Sequence, residues 1–211
     1  MSMGIEPVSQ RHQLNESWTL WYDFQEKKYV NTDNWSDNLQ QLGIADNAEM
    51  FWAIIDKIGE TQDLPISSNL HFFRKDILPM WEDQRNLEGG KWVLELPSPQ
   101  LAHQVWTDTL LFCISELCML RTVQMEGSEL VINESTIDEK LAGVICGAVL
   151  SPRKNCVRIS IWTSIKDNRV LQVGKLWREN GKIPDSFKIL FKAHENAIRG
   201  SRDISSDVYT L

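Results

Sequence analysis

Apolar and polar residues alternate over several short stretches of the chain, and a period of two predicts β-strands. The same stretches are rich in aromatic and β-branched residues, which favour strands. The predicted strands are residues 18–24, 71–73, 91–96, 144–151, 157–164 and 188–193. The chain should therefore contain a substantial β-sheet.

The stretch 157–164 alternates most regularly and divides its side chains between two faces. The apolar set is Val157, Ile159 and Ile161, which should pack on helices. The opposite set is Arg158, Ser160 and Trp162, which places a cation and an aromatic ring on the open face of the sheet. Arg153 and Lys154 lie just upstream in a predicted turn, and with Arg158 they form a predicted anion-binding cluster beside an aromatic surface.

Residues 46–60 follow a period of 3.6, which predicts an amphipathic helix. Asp46 and Glu49 stand at capping-box spacing, and Gly59 suits the end of the helix. Trp52 lies about 110° from the centre of the apolar stripe and should be at least partly exposed. Single exposed apolar residues are common, so Trp52 indicates a contact surface only if other apolar residues adjoin it.

Residues 101–117 predict a second helix, whose buried face includes Trp106. Leu111 and Ile114 point away from that face at ~100° per residue. With Trp52 they would form one apolar patch if the two helices are neighbours, and such patches usually mark partner surfaces. Four tryptophans are predicted to lie in the core: Trp18, Trp21, Trp92 and Trp106. Trp177 is not assigned.

The chain has 211 residues, of which 42% are hydrophobic, and this suits one domain with a real core. No apolar run approaches the ~18 residues that a membrane span requires. The first residues lack the apolar region of a signal peptide, and residues 1–11 should be a flexible leader. These features predict a cytosolic or nuclear protein.

Charge is distributed unevenly along the chain. The net charge is −7, yet residues 151–192 contain ten Lys/Arg and three acidic residues. The negative net charge argues against a general nucleic-acid coat protein. The local excess of positive charge indicates either an anion-binding site or a solvated basic face, and charge alone does not distinguish these two. The four cysteines form no C-x-x-C pair and there are only four histidines, so neither a zinc site nor a cofactor is predicted.

Trp81 is followed directly by Glu82 in a polar loop that leads into a predicted strand. Stacking on an aromatic side chain contributes ~1–3 kcal/mol per base, and a desolvated cation over an indole face adds about 2 kcal/mol. A carboxylate can accept two hydrogen bonds from an edge with two N–H donors, as the guanine edge has. Trp81 and Glu82 therefore suit a flat, positively charged purine, and the anion-binding cluster suits an attached polyphosphate.

A set of short motifs carries a family resemblance: "HQLNESWTLWY", "NW" at 34–35, "EMFWAI", "PMWED", "GGKWVL", "WTDTLL", "CGAVLSPRK" and "RISIWT". Each is weak alone, but their order and spacing over roughly residues 12–200 resemble eukaryotic translation initiation factor 4E, the mRNA cap-binding family. The resemblance implies an α+β fold with one cap-binding domain at 12–211. A curved antiparallel sheet would carry helices on its convex face and the cap-binding slot on its concave face. The segment at about 116–144 is longer than the family's usual connection.

The resemblance assigns the base-binding residues of the slot. Trp35 and Trp81 match the two indoles that sandwich 7-methylguanine, whose positive charge favours it over guanine through the cation–π interaction. Glu82 matches the carboxylate that accepts from the base edge. Trp162 matches the residue that touches the methyl group.

The phosphate-binding residues follow from the same resemblance. Arg153 matches a phosphate-binding arginine, and Arg158 stands where lysine is usual, which keeps the charge and adds a planar fork. Lys91 stands where arginine is usual, so the cation is retained and the fork is lost. Lys154 and Asn155 are auxiliary phosphate contacts.

The convex face matches the family's partner site less closely. In the family a helical peptide of an initiation factor 4G-type scaffold, or of a competing 4E-binding protein, docks there. Trp52, Leu111 and His12 match residues of this groove. Ala48, Thr107, Asp108 and Ser115 replace the usual valine, leucine, glutamate and glycine, which predicts a retained but reshaped groove.

The resemblance implies a non-enzymatic adaptor that binds capped mRNA and recruits the initiation machinery. A cap-binding repressor or specialised isoform is the alternative, although tryptophan at both Trp18 and Trp35 mildly favours the initiation type. A nucleotide hydrolase is disfavoured because a phosphate-binding glycine loop and metal-ligand spacing are missing from the sequence. A carbohydrate-binding module would also stack on tryptophan, but the anion-binding cluster argues against it.

Overall fold

The computed structural model describes residues 11–24, 38–116, 124–126, 129–131, 139–195 and 207–211. Its strands are β1 (Gln13–Phe24), β2 (Gln40–Asn47), β3 (Ser68–Arg74), β4 (Gly90–Leu96), β5 (Gln124–Glu126), β6 (Glu129–Val131), β7 (Ile145–Pro152), β8 (Val157–Thr163), β9 (Ile189–Ala193) and β10 (Asp207–Thr210). Eight of them form one antiparallel sheet in the order β10-β9-β4-β8-β7-β3-β1-β2, and β5 and β6 pair separately. The α+β fold with an antiparallel sheet and helices is confirmed.

Within the described residues, four helices accompany the sheet: α1 (Ala48–Ile58), α2 (Gln84–Leu87), α3 (Pro99–Ser115) and α4 (Val170–Asn180). Helix α1 begins at Ala48 because the Asn47 side chain accepts a hydrogen bond from Met50 N at 2.8 Å. The predicted cap, Asp46, is wrong: its carboxylate instead accepts from the Asn47 amide at 2.5 Å and so orients the true cap. Gly59, with φ of 72°, ends the helix as predicted.

Helix α3 begins two residues earlier than predicted. Ser98 caps it, with Oγ accepting from Leu101 N at 3.4 Å, and Pro99 occupies the first turn, where no backbone donor is needed. The helix ends at Ser115, and Glu116 has a left-handed φ of 55°. None of the helices in the described ranges is long and apolar enough to cross a membrane.

Helices α1, α3 and α4 cover one face of the sheet, here called the helix-covered face, and the main core lies between them and the strands. Trp18, Trp92 and Trp106 are buried there, as predicted. Trp21 is only half-buried, so its assignment to the core was wrong. It follows Leu20 on β1, and successive strand residues point to opposite faces, so the core beneath Leu20 is out of its reach.

The opposite side of the sheet is here called the open face. Val157, Ile159 and Ile161 belong to the main core, whereas Trp162 lies in a smaller cluster on the open face with Phe73, Ile77, Cys146 and Val149. The predicted division of β8 between two faces is therefore confirmed. Trp162 is nevertheless only 8% exposed. The expectation of an uncovered ring is therefore wrong, because the neighbours described below cover the ring.

Two regions of the domain prediction are only partly described. Of the leader at 1–11, the described part begins at Arg11. Of the extension at 116–144, it comprises Glu116, the β5–β6 pair and residues 139–144. A 3-10 turn at Glu139–Leu141 lies just before β7.

Candidate functional site

Trp81 and Glu82 lie in the rim loop, defined here as residues 78–83, which follows β3 and leads into α2. Trp81 is 39% exposed and Glu82 is also exposed. The next residue, Asp83, fixes the loop: its carboxylate accepts from Leu78 N and from Arg85 N, both at 2.9 Å. An exposed indole on a braced loop is already ordered before any ligand arrives, which lowers the entropy cost of binding.

Asn86 braces the rim loop from inside the protein. Its side chain is fully buried and donates to Leu78 O at 2.9 Å and Met80 O at 2.8 Å. Its backbone carbonyl receives a hydrogen bond from His194 Nδ1 at 2.8 Å, and since a carbonyl only accepts, this nitrogen carries the proton. Burial lowers the pKa of His194 to about 4, so the ring is neutral near pH 7.

Gly89 and Gly90 bring the end of α2 down onto the sheet. A Cβ at Gly89 would lie 1.8 Å from the carbonyl oxygen of Thr163, and one at Gly90 would lie 2.5 Å from the ring of Phe191. Only glycine permits such an approach of backbone to backbone. The end of α2 and the end of β8 are therefore joined without an intervening side chain.

Trp162 forms the floor of the open face beside this rim. Its ring lies 4.3 Å from the ring of His194 and 5.5 Å from that of Phe73, and Lys91 Nζ lies 5.3 Å from its centroid. These three neighbours explain its burial. No acceptor for its indole N–H occurs among the described residues.

Lys91 links the aromatic floor to the charged part of the face. It lies opposite Trp162 on β8 and opposite Lys192 on β9. Burial, together with the positive charges of Arg158 and Lys192, lowers the pKa of Lys91 to about 8. Cations held so closely repel one another, and a bound anion would relieve that repulsion.

Arg158 lies on the same face and is half-exposed. Its guanidinium forms an ion pair with Glu95, with Nη2 2.5 Å and Nε 3.0 Å from one carboxylate oxygen. Two donors are thereby occupied, and the remaining N–H groups of the five are left for a ligand.

Arg153 is held at the beginning of the β7–β8 turn. It donates from Nη1 to Pro152 O at 2.8 Å and Ser68 O at 3.2 Å, and from Nη2 to the Asn69 side-chain oxygen at 2.8 Å. Partial burial lowers the pKa of Arg153, and the charge of Arg158 lowers it as well.

A buried polar network stands behind Arg153 and was not predicted. Asn69 donates to the Asp23 carboxylate at 2.9 Å while its oxygen accepts from Arg153 and from Ser151 Oγ at 2.7 Å. His71 Nε2 lies 2.6 Å from Asp23, which is 1% exposed. A buried carboxylate requires such partners, and the network fixes the guanidinium in place.

The structure therefore brings most of the predicted slot to one face. Trp162, Lys91 and Arg158 adjoin across β8 and β4, and the rim loop is tied to Trp162 through Asn86 and His194. Lys154 and Asn155 are exposed at the tip of the β7–β8 turn. Trp35 lies in the stretch 25–37, outside the described residues.

Sequence reasoning missed the residues that brace this slot. Asp83 stands before a short helix, where an acidic cap is common, so its role had a detectable signal. Asn86 and the Asp23–His71–Asn69 network had none, since they bridge residues far apart in sequence. Within the described ranges, no group of three His, Cys, Asp or Glu side chains is placed to hold a metal ion.

The helix-covered face presents a separate apolar groove of about 350 Å³. It is lined by Leu14, Asp108, Leu111, Phe112, Ile114, Ser115 and Asn180. Leu111 and Ile114 are half-buried against the core rather than fully outward, because β1 packs beside α3. Asp108 lies 3.6 Å from Lys182 Nζ, and Thr107 is turned back to donate to His103 O at 3.2 Å.

Trp52 does not line this groove; it is 45% exposed on α1, with the Phe51 ring behind it at 5.1 Å. His12 lies at the start of the same helix. Its backbone carbonyl accepts from Ala48 N at 2.8 Å, and its Nδ1 lies 2.7 Å from Glu49, whose pKa is lowered by that hydrogen bond. The chain segment from His12 to Leu14 therefore runs from α1 to the groove on α3.

Solved structures of similar shape include initiation factors of nematodes. The chain aligns with Ascaris suum eIF4E-3, solved in complex with an m2,2,7G cap, with a TM-score of 0.76 and 26% identity, covering 96% of this chain and 99% of that one. It aligns with C. elegans eIF4E-3, solved with the 4E-binding protein Mextli and a cap analog, with a TM-score of 0.75 and 25% identity, covering 96% and 100%.

Sequence comparison gives the same result. Eukaryotic translation initiation factor 4E of Saccharomyces cerevisiae is 35% identical over 190 residues, which are 89% of this chain and 78% of that protein. The model of the family described as eukaryotic initiation factor 4E matches residues 13–208. Since that match spans nearly the whole fold, including both the rim loop and the helix-covered groove, the chain belongs to the eukaryotic initiation factor 4E family.

Proposed function

We propose that this chain binds the 7-methylguanosine cap of mRNA on the open face and recruits the translation initiation machinery through the helix-covered face. The observation that carries the proposal is the braced, exposed Trp81–Glu82 pair at the rim of a face that also holds Trp162, Lys91 and Arg158. The family consists of translation initiation factors, and the chain is accordingly not an enzyme. We place its action in the cytoplasm, where translation occurs.

The base is held between Trp81 and Trp35. Methylation at N7 gives the purine a positive charge, and an indole face attracts a desolvated cation by about 2 kcal/mol. Glu82, being exposed and adjacent to Trp81, accepts from the N1–H and exocyclic amine of the base. The N7-methyl group points toward Trp162, which is linked to the rim loop through His194 and Asn86.

The triphosphate is held by Arg158, Arg153 and Lys91. Arg153 is fixed by two backbone carbonyls and Asn69, so it loses little rotamer freedom on binding. Arg158 exchanges part of its bond with Glu95 for phosphate, and Lys91 contributes a point charge from the sheet. Lys154 and Asn155, at the exposed turn, add weaker contacts.

The helix-covered face binds a helical peptide of an initiation factor 4G-type scaffold. Trp52 supplies an exposed aromatic anchor, while Leu111 and Ile114 line the neighbouring groove with Ser115 and Asp108 at its edge. Ala48 begins α1 and donates its N–H to the His12 carbonyl at 2.8 Å, and Thr107 lies on α3 next to Asp108. The groove differs from the usual family pattern at several of these positions, which supports the alternative of a repressor or specialised isoform that uses another partner.

The decisive experiment for cap binding is titration of intrinsic tryptophan fluorescence with 7-methyl-GTP and GTP side by side. We expect strong quenching by the methylated nucleotide and a much weaker response to GTP. Equal affinity for both nucleotides would contradict cap recognition.

The choice of partner is tested separately by calorimetric titration with a 4G-type peptide and with a 4E-binding-protein peptide, in the presence of 7-methyl-GTP. Preference for the 4G-type peptide supports a role in initiation. Binding to only the second peptide assigns the chain to the repressor alternative.

A further inference from the structure

A groove on the open face extends beyond the residues assigned to the cap. It has a volume of about 510 Å³. Its lining residues are Lys91, Val93, Glu95, Arg158, Lys188, Leu190 and Lys192. Lys91 and Arg158 belong to the proposed triphosphate site, whereas Lys188, Leu190 and Lys192 come from β9 and the residue before it and have no role in that site.

Strand register shows how the two parts connect. Lys91 on β4 lies opposite Lys192 on β9, and Val93 lies opposite Leu190. The same register continued by two residues brings Lys188 level with Glu95, which is the partner of Arg158 on β8. Since neighbouring strands are ~4.8 Å apart, the cations of β8 and β9 are separated by about 10 Å across β4.

The groove is strongly cationic on a protein whose net charge is −7. Four of its lining residues are Lys or Arg and one is acidic, and that one, Glu95, is already paired with Arg158. The field of Arg158 and Lys192 is strong enough to help lower the pKa of Lys91. Lys188 is exposed and forms no ion pair with any residue that the structure describes.

The middle of the groove is apolar. Val93 and Leu190 adjoin across β4 and β9 and separate the cations at the two ends. A floor of this kind with charges around it suits a ligand of alternating apolar and anionic parts. Ribose and base surfaces would lie over Val93 and Leu190, and phosphates would lie at the lysines.

We propose that this groove holds the sugar–phosphate backbone of the first nucleotides that follow the cap, with Lys188 and Lys192 as phosphate contacts. The inference rests on the proposed cap-binding function and extends it from the cap to the transcript. An RNA chain is favoured over an acidic peptide because the groove is continuous with the triphosphate cations. A chain leaving the cap therefore enters it without crossing another surface.

Lys188 gives the sharper test because it is exposed and, unlike Lys192, does not lie directly opposite Lys91 of the triphosphate site. Wild-type protein, Lys188→Ala, Lys188→Arg and the matched control Lys175→Ala, an exposed lysine on α4, are each titrated with two ligands. The ligands are 7-methyl-GTP and a capped RNA of five nucleotides, and each titration is repeated over a series of salt concentrations.

We expect Lys188→Ala to leave the affinity for 7-methyl-GTP unchanged and to weaken binding of the capped RNA about two- to five-fold, as for an exposed charge pair. The slope of log K for RNA binding against log salt concentration should become less steep by about 0.7, because one phosphate contact is lost. Lys188→Arg and Lys175→Ala should behave as the wild type does.

The outcomes separate the two proposals. If wild-type protein fails to bind 7-methyl-GTP, the proposed function fails and the groove assignment falls with it. If it binds 7-methyl-GTP but the capped RNA binds Lys188→Ala as tightly as wild type, with the same salt slope, only the groove assignment is overturned. The same holds if Lys175→Ala weakens RNA binding as much as Lys188→Ala does.

Discussion

The open face and the helix-covered face each present a partly exposed tryptophan, and the two differ in their surroundings. Trp81, 39% exposed, stands beside Glu82 at the edge of a surface with several cations. Trp52, 45% exposed, stands on a helix backed by Phe51, and the groove nearby is mainly apolar. The two indoles are therefore similarly exposed but have neighbours of opposite chemical character. The neighbours of an indole indicate the class of its ligand better than its exposed fraction does.

The two faces also differ in how their side chains are held. The rim loop is braced by hydrogen bonds that the buried Asn86 side chain donates and that the Asp83 carboxylate accepts, and Arg153 is fixed by backbone carbonyls. The groove on α3 is formed by apolar side chains packed on the core. The first arrangement suits a rigid polar ligand with fixed geometry, and the second suits apolar side chains of a peptide.

Among the substitutions that test the difference between the two faces, Trp81→Leu should have the largest effect. Loss of stacking (~1–3 kcal/mol) and of the cation–π attraction (about 2 kcal/mol) should together reduce 7-methyl-GTP affinity by roughly 100- to 5,000-fold. Fluorescence titration measures this loss, and binding of a 4G-type peptide should be unaffected. Trp52→Ala is the matched control; comparable cap loss in both variants would show that the two faces are not separate sites.

Glu82→Gln should have the next largest effect. A carboxylate–base hydrogen bond to a charged group contributes about 1.5–3 kcal/mol, so 7-methyl-GTP affinity should fall about 10- to 100-fold. Glu88→Gln, which alters another exposed acid a few residues away, serves as the control in calorimetric titration. An unchanged Kd in Glu82→Gln would exclude edge recognition by this carboxylate.

Trp52→Ala tests the difference between the two faces at the helix-covered face. An aromatic anchor at a peptide interface contributes at least about 2 kcal/mol, so a 4G-type peptide should bind at least 30-fold more weakly. Cap affinity should survive. Ile66→Ala removes another exposed apolar side chain, just before β3, and it should leave both affinities unchanged.

The smallest expected effect is a pH dependence at Lys91, whose pKa burial lowers to about 8. The cation is present near pH 7 and is lost as the pH rises through about 8, so its attraction for phosphate weakens in that direction. Lys91→Arg keeps its charge throughout. Between pH 7 and 9 the Kd ratio of wild type to Lys91→Arg for 7-methyl-GTP should increase about two- to five-fold.

Titration of the nucleotide itself is common to both proteins and cancels in that ratio. A ratio that is constant with pH would show that Lys91 does not contribute charge to triphosphate binding.

The parts of the fold that the sequence predicts are those with clear periodicity. β8 divides its side chains as its alternation indicates, and α1 ends at Gly59. Strand β2 (Gln40–Asn47) was not predicted because "QQLGIADN" has no regular alternation, as befits an edge strand with one neighbour. β10 was also missed, and its register depends on β9, which is distant in sequence.

Helix α4 has the 3.6-residue period in Val170, Val173, Leu176 and Trp177, all buried. The helix was not predicted, because the excess of positive charge in residues 151–192 is the more conspicuous feature of that stretch. The candidate slot was anticipated through its recognition residues, while their supports were not. Asn69, Asn86 and His194 act through contacts with residues far along the chain, and local patterns carry no information about such contacts.

Gly89 lies against the Thr163 carbonyl at a distance that leaves no room for a Cβ, so the end of α2 and the end of β8 meet main chain to main chain. A methyl group added at residue 89 would therefore force these two elements apart. It would shift the end of α2, which carries Asn86 and its hydrogen bonds to the rim loop, although every side chain of the proposed slot had been kept.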